Sequence, residues 1–201
     1  MAERQIFLLA DEVYEHICFD GAAHLSLCRY PDLWKRSFVV SSFGKTYHTT
    51  GWKIGYCVAP AALSSEFRKI HQFNTFTSIT PVQLALADFL RDCPEHHLNL
   101  ADFYQAKRDL FCSLVEPSRF SLTPTAGTYF QLLDYSAVAT DVDVELAQRL
   151  TREAKLASIP ISVFYESAEV GSAVHNQRYL RFCFAKDDAT LAQAAEILCA
   201  L

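Results

Sequence analysis

The chain has 201 residues, 51% hydrophobic and 20% charged, with a formal net charge of -5 at pH 7. That is enough chain for one sizeable core or for one and a half domains. Its basic residues form no stripe for a phosphate backbone, which argues against nucleic acid, and no apolar run reaches the roughly 18 residues of a membrane span.

The opening "MAERQIFLLADEVYE" mixes charge into a short apolar run and lacks a small-residue cleavage site, so it does not read as a signal peptide. "IFLLA" (6–10) reads as a buried strand with Asp11 and Glu12 at its carboxyl end. "SFVVSS" (37–42), rich in β-branched residues, is a second strand, and "IGYCVA" (54–59), stopped by Pro60, is a third. Strands without clean alternation imply a mostly parallel sheet covered on both faces, the habit of α/β proteins. From Ala61 the pattern turns helical. Pro81 fits the first turn of a helix through Val82, Leu86, Phe89 and Leu90, and a longer helix after Pro94 runs through Leu100, Phe103, Lys107 and Leu114.

Pro117 and Pro124 mark a change of style. "TYFQLLD" (128–134) alternates like a half-buried strand, and Asp143 is placed to cap a helix carrying Leu146, Leu150 and Ala154. "IPISVF" (159–164) and "RYLRFCFA" (178–185) are further strands, and a final amphipathic helix carries Leu191, Ala194, Leu198 and Leu201. The expected organisation is α/β. Residues 1–114 form an incomplete, mostly parallel sheet domain with an interdomain helix, and residues 115–201 form a small α+β domain, with the boundary near Leu114. Three candidate strands are too few for a doubly wound sheet, so the chain reads as the carboxyl-terminal part of something larger. The seven cysteines contain no C-x-x-C pair and read as reduced thiols of a cytoplasmic protein.

The stretch "SSFGKTYHTTGWKIGY" (41–56) sets Lys45 and Lys53 among hydroxyl residues and glycines. Gly44-Lys45-Thr46 matches the end of a nucleotide P-loop, but the glycine that motif needs five positions earlier is Val39. In an open α/β sheet, ligands sit beyond the carboxyl ends of the strands. Asp11 and Tyr14 follow one strand, and Ser42 and Lys45 follow the next, so with Lys53 they belong to one polar rim. A partly desolvated lysine attacks a carbonyl carbon, a carboxylate keeps a pyridine nitrogen protonated, and a second cation with a hydroxyl suits a phosphate. This chemistry makes pyridoxal phosphate a fair candidate without singling it out. The histidines, His96 and His97 included, match no zinc-ligand spacing, so no metal is expected.

Four motifs, "ADEVYE", "SSFGKTYHTTGWKIGY", "AGTYF" and "RYLRFCFAKDDATL", together resemble the class I/II, fold-type I aminotransferases over essentially the whole chain. The resemblance is greatest to the branch containing methionine aminotransferase and the kynurenine aminotransferase (glutamine transaminase K) enzymes. It implies that Lys45 holds pyridoxal 5'-phosphate covalently and later shuttles a proton. It implies that Asp11 pairs with the pyridine nitrogen, that Tyr14 bonds the 3′-oxygen, and that Ser42 and Lys53 hold the phosphate; many relatives carry arginine at the last position. Arg181 then grips the substrate α-carboxylate by a two-point contact, and Phe76 reaches across a homodimer into the partner's substrate pocket. The implied reaction moves the α-amino group of methionine, glutamine or an aromatic amino acid to a 2-oxo acid, with β-elimination from cysteine conjugates as a side activity. The alternative is a truncated, catalytically inactive segment. The family carries an amino-terminal portion with the phosphate-binding amides, a ring-stacking aromatic and an asparagine, none of which this chain contains, so the isolated chain is expected to be inactive or weak.

Taken singly, these residues have plainer readings. A lysine in a Gly/Thr loop is a solvated charge, Asp11 a turn former, Tyr14 a half-buried core residue, Lys53 a surface charge and Phe76 packing. Arg178 and Arg181 stand three apart on a strand and face opposite sides. Spacing does not choose between them, and the resemblance alone selects Arg181.

Overall fold

The computed structural model describes residues 6–165 and 178–201. Its contacts divide the chain into two compact units, Met1–Ala101 and Asp102–Leu201. In chain order the first unit holds β1 (Leu8–Asp11), α1 (Pro31–Trp34), β2 (Ser37–Ser42), α2 (Phe43–Thr46), β3 (Gly55–Val58), α3 (Ala61–Asn74), α4 (Thr80–Asp92) and α5 (Glu95–Leu98). The division falls in the first turn of α6 (Leu100–Val115), and Leu114 lies near the other end of that helix.

The sheet of the first unit runs β1-β2-β3. β1 and β2 are parallel, with Leu8 opposite Ser37 and Asp11 opposite Val40. β3 returns antiparallel, with Val39 opposite Val58 and Ser42 opposite Gly55, a direction that the sequence pattern does not give. The physical reason lies in the connection from Phe43 to Ile54, which is wound into α2 and a 3-10 turn at Thr50–Trp52. Wound up in this way, it carries no crossover helix over the sheet, and the chain re-enters beside the end of β2 that it left. Gly55 makes the return possible, because a Cβ there would lie 2.5 Å from the Ser41 carbonyl oxygen.

β1 also differs from expectation. It begins at Leu8, and Leu9 is 74% exposed and Phe7 66% exposed. Among the described residues β1 pairs with β2 alone, so its outer edge and one face stay open. β2 is the central strand and alternates, with Ser37, Val39 and Ser41 buried.

The second unit continues from α6 into β4 (Phe130–Asp134), α7 (Asp143–Arg149), β5 (Ile159–Pro160), β6 (Tyr179–Cys183) and α8 (Asp188–Cys199). Its antiparallel sheet has the order β4-β6-β5. Apolar side chains at alternate positions of β4 and β6 (Leu133, Leu180 and Phe182) are buried, as are Phe111 and Val115 of α6 and Leu191 and Leu198 of α8. The Asp187 carboxylate accepts the Thr190 N–H at 2.8 Å and caps α8, a bond worth about 1 kcal/mol.

Two elements depart from the sequence pattern for one reason. Asp143 is not the cap of α7 but its first residue, and it is buried. Its carboxylate accepts the Ser162 N–H and hydroxyl, each at 2.7 Å. That grip bends Ser162–Phe164 into a 3-10 turn, so β5 stops at Pro160.

Candidate active site

The carboxyl ends of the two parallel strands carry the polar rim of the first unit. Asp11 closes β1 and is exposed, and its Oδ1 accepts the Val13 N–H at 3.2 Å. This is the turn-forming bond expected of an aspartate at a strand end, and a carboxylate retains further acceptor sites beside it. The chain then turns through Tyr14, which is half-buried and whose carbonyl accepts the Ile17 N–H at 2.9 Å.

Ser42 closes β2 and caps α2, the single turn that bears Lys45. Its Oγ accepts the Gly44 N–H at 3.0 Å and donates to the Ile54 carbonyl at 3.2 Å. The Gly44 carbonyl accepts the Thr49 N–H at 3.0 Å and the Thr50 hydroxyl at 3.1 Å. A Cβ on Gly44 would approach the Thr50 Cα to 2.9 Å, so the glycine before the lysine is required by the way the loop folds against its own helix. Lys45 is half-buried, whereas Lys53 is exposed and holds a left-handed backbone with φ 55°. For a residue with a Cβ that conformation costs roughly 1–2 kcal/mol. Phe76 shares this property: it follows α3 with φ 67°, its N–H reaches the His71 carbonyl at 2.9 Å, and its ring is 76% exposed.

Several groups around this rim were not singled out by the sequence. Glu12 is buried and accepts from His24 Nε2 at 2.8 Å and from the Leu27 N–H at 2.9 Å. Burial alone would raise its carboxyl, but the hydrogen bonds from His24, Leu27 and Ser26 outweigh it and hold Glu12 below the ordinary value of 4.5. The His96 ring stacks on Tyr47, and its Nε2 lies 2.9 Å from the Thr46 carbonyl at the end of the lysine turn. His16 meets His97 edge to face with ring centroids 5.1 Å apart. Burial pushes His16 below its ordinary 6.5, against the pull of Glu15, and His97 adds to the depression; His48 is lowered by burial and by His96.

These directions set a pH dependence. As pH falls below 6.5, the unfolded chain takes up protons that the folded His16 and His48 refuse, so stability drops until their folded pKa values are passed. The Glu12 contribution is present above 4.5 and is lost as pH falls from there through its folded pKa. Thermal melting between pH 8 and pH 4 should therefore show two successive declines. A flat profile from neutral pH to 5 would rule out the first, and His16→Asn should reduce it.

Arg181 belongs to the second unit, in the less buried row of β6. Its guanidinium carbon lies 4.1 Å from the centroid of the Phe130 ring and 4.8 Å from that of Phe164. Phe130 stands diagonally across the β4–β6 ladder, where Leu132 is the direct partner of Arg181. The Nε of Arg181 is buried without a hydrogen-bond partner among the described residues. Arg178, by contrast, donates through Nη1 to the Ala139 carbonyl at 2.6 Å. An unsatisfied buried donor on a charged group is costly.

Residues 1–198 of the chain match the family model for aminotransferase class I and II. It is 52% identical over 198 residues to methionine aminotransferase of Escherichia coli (strain K12), covering 98% of this chain and 50% of that protein. It is 34% identical over 206 residues to human kynurenine–oxoglutarate transaminase 3, covering 94% and 45%. The crystal structure of Escherichia coli YbdL, identified with a methionine aminotransferase function, superposes with a TM-score of 0.92 at 52% identity, over 100% of this chain and 52% of that one. N-succinyldiaminopimelate aminotransferase from Mycobacterium tuberculosis gives a TM-score of 0.88 at 31% identity, over 97% and 50%. The chain belongs to the class I and II aminotransferases. Its fold is that of the fold-type I enzymes, and it spans about half the length of the curated relatives it matches. Members of this family depend on pyridoxal phosphate.

The residues present fit that cofactor. A carboxylate, a phenol, an amine, a hydroxyl and a second amine follow the ends of adjacent parallel strands, and Gly44 gives the lysine turn the room it needs. Among the described residues no group of His, Cys, Asp and Glu is arranged to hold a metal ion, and no helix is long and apolar enough to cross a membrane.

Proposed function

We propose that the protein is a pyridoxal-phosphate-dependent aminotransferase that takes the α-amino group from methionine, glutamine or an aromatic amino acid and passes it to a 2-oxo acid. The observation that carries this reading is Lys45 on a glycine-dependent turn capped by Ser42 at the end of β2, with Asp11 at the same end of the neighbouring parallel strand. The 52% identity to a methionine aminotransferase supports the substrate class.

In this reading Lys45 Nζ would hold the cofactor covalently and, once the substrate's amine has displaced it, would as a free amine move the proton at the substrate α-carbon. Asp11 keeps the pyridine nitrogen protonated, and Tyr14 orients the ring through its phenol. Ser42 and Lys53 hold the phosphate, and Ser42 turns its hydroxyl hydrogen away from the Ile54 carbonyl to do so. The bound cofactor supplies an electron sink for charge released at the α-carbon. Arg181 receives the substrate carboxylate by a two-point contact of its guanidinium. Residues 1–114 then form the cofactor-holding portion and 115–201 the small domain.

The protein works as a homodimer in this reading. Phe76, held in a strained conformation and exposed, and Ile70 and Phe73, 71% and 87% exposed on α3, suit a covered interface. A cytoplasmic setting agrees with seven cysteines that form no disulfide.

The test is amino transfer by the full-length protein loaded with pyridoxal phosphate, assayed with each candidate amino acid and a 2-oxo acid. Cofactor uptake without transfer from any of them would overturn the proposed substrates. Arg181→Lys should raise KM for every amino-acid substrate alike, by about tenfold or more, since lysine keeps the charge and loses the planar fork. If one substrate suffers and another is spared, Arg181 selects side chains instead.

A further inference from the structure

The residues used above each stand beside a neighbour that the reaction does not use: Glu15 follows Tyr14, and Ser41 precedes Ser42. These neighbours meet. Glu15 Oε1 accepts the Tyr56 hydroxyl at 2.6 Å and the Ser41 hydroxyl at 2.8 Å. Ser41 and Tyr56 are directly opposite each other on β2 and β3, so one carboxylate oxygen ties the turn after β1 to a cross-strand pair of the central ladder.

The length of the Tyr56 bond is that of a charge-assisted O–H···O⁻ contact, stronger than a neutral one. Burial and Glu15 push the Tyr56 phenol up to about 12, so it remains a donor across the physiological range. The Ser41 hydroxyl also lies 3.4 Å from the Glu12 carbonyl. The Glu15 N–H reaches the Glu12 carbonyl at 3.0 Å and the Ile17 N–H reaches the Tyr14 carbonyl at 2.9 Å, and both bonds lie within the turn itself. Glu12 anchors its start toward His24 and Leu27. The Glu12 N–H ties the start of the turn to the Val40 carbonyl of β2 at 2.8 Å, and the Glu15 carboxylate fastens its far side to the β2–β3 pair from which Ser42 and Lys45 are presented.

We infer that Glu15 is a positioning residue, whose carboxylate, clamped by Tyr56 and Ser41, fixes the turn that presents the Tyr14 phenol to the cofactor. This rests on the proposed function for the role of Tyr14, but the clamp itself does not. Glutamine at position 15 keeps one acceptor oxygen and the length of the side chain, whereas alanine removes the clamp.

The experiment compares Glu15→Ala, Glu15→Gln and Tyr56→Phe in the full-length protein, with Tyr14→Phe as reference. Amide exchange over residues 12–17 is measured without cofactor. The pyridoxal phosphate dissociation constant and the pH midpoint of its visible band are measured with it. Glu15→Ala should speed exchange over 12–17, weaken cofactor binding about tenfold, the scale on which loss of an orienting partner acts, and move the midpoint in the same direction as Tyr14→Phe. Tyr56→Phe should give a smaller change of the same kind, and Glu15→Gln should restore most of the affinity. Unchanged exchange in Glu15→Ala overturns the clamp. Faster exchange with wild-type affinity and midpoint overturns the positioning role and leaves Glu15 purely structural. If Tyr14→Phe itself changes neither affinity nor midpoint, the cofactor role of Tyr14 fails, and the exchange result alone decides whether Glu15 holds the turn.

Discussion

Lys45→Ala should abolish covalent retention of pyridoxal phosphate by the full-length protein. The amine is carried on one turn of helix that Ser42 caps and the Gly44 carbonyl ties to Thr49 and Thr50, so its Cα has a defined place. Lys53, on the same loop, is exposed and held in a left-handed conformation. Borohydride reduction of the loaded protein followed by peptide mapping should find the adduct between residues 41 and 56, and should find none after the substitution. An adduct that survives in that peptide would move the covalent role to Lys53. Lys53→Ala should leave the adduct in place and weaken only the phosphate contact.

Asp11→Ala should cripple turnover more than it weakens binding. A charge-assisted hydrogen bond to the pyridine nitrogen is worth roughly 1.5–3 kcal/mol in the resting complex, or about 10- to 100-fold in affinity. The rate should fall further, because a neutral pyridine drains electrons poorly from the α-carbon. The bond to the Val13 N–H offers a plainer role for Asp11 as a turn former, and Asp11→Asn separates the two. Asparagine makes the same turn bond but carries no charge. Single-turnover rates as poor in Asn as in Ala establish the electrostatic role; near-normal rates in Asn reduce Asp11 to a turn residue.

Much of this was legible wherever local pattern and tertiary environment agree. "SFVVSS" is β2 to the residue, and Pro81 sits in the first turn of α4 as its missing N–H allows. The direction of β3 was not legible, since an apolar run looks alike whichever way it pairs, and the deciding facts were a wound-up connection and one close approach at Gly55. "IPISVF" has the composition of a strand, but Asp143, distant in sequence, holds Ser162 off the ladder. "IFLLA" carries the hydrophobicity of a covered strand, yet Leu9 and Phe7 face outward.

The candidate site divides the same way. Lys45, Asp11 and Tyr14 announce themselves through contiguous motifs. The Glu15 clamp depends on which residue of β3 falls opposite Ser41, and only the register reveals that. The choice between Arg178 and Arg181, open on spacing alone, gains support from the Ala139 carbonyl that occupies one and the aromatic rings that border the other.

Those rings also bear on what the proposed role of Arg181 would favour. Its guanidinium carbon lies 4.1 Å from the Phe130 centroid and 4.8 Å from that of Phe164, so two aromatic rings border the cation before anything binds. If Arg181 receives a carboxylate as proposed, a flat anion in the guanidinium plane would meet two N–H groups at once, whereas a tetrahedral anion would carry oxygens out of that plane. Bordering rings would then favour the planar ligand by its geometry, independently of anything its side chain contributes.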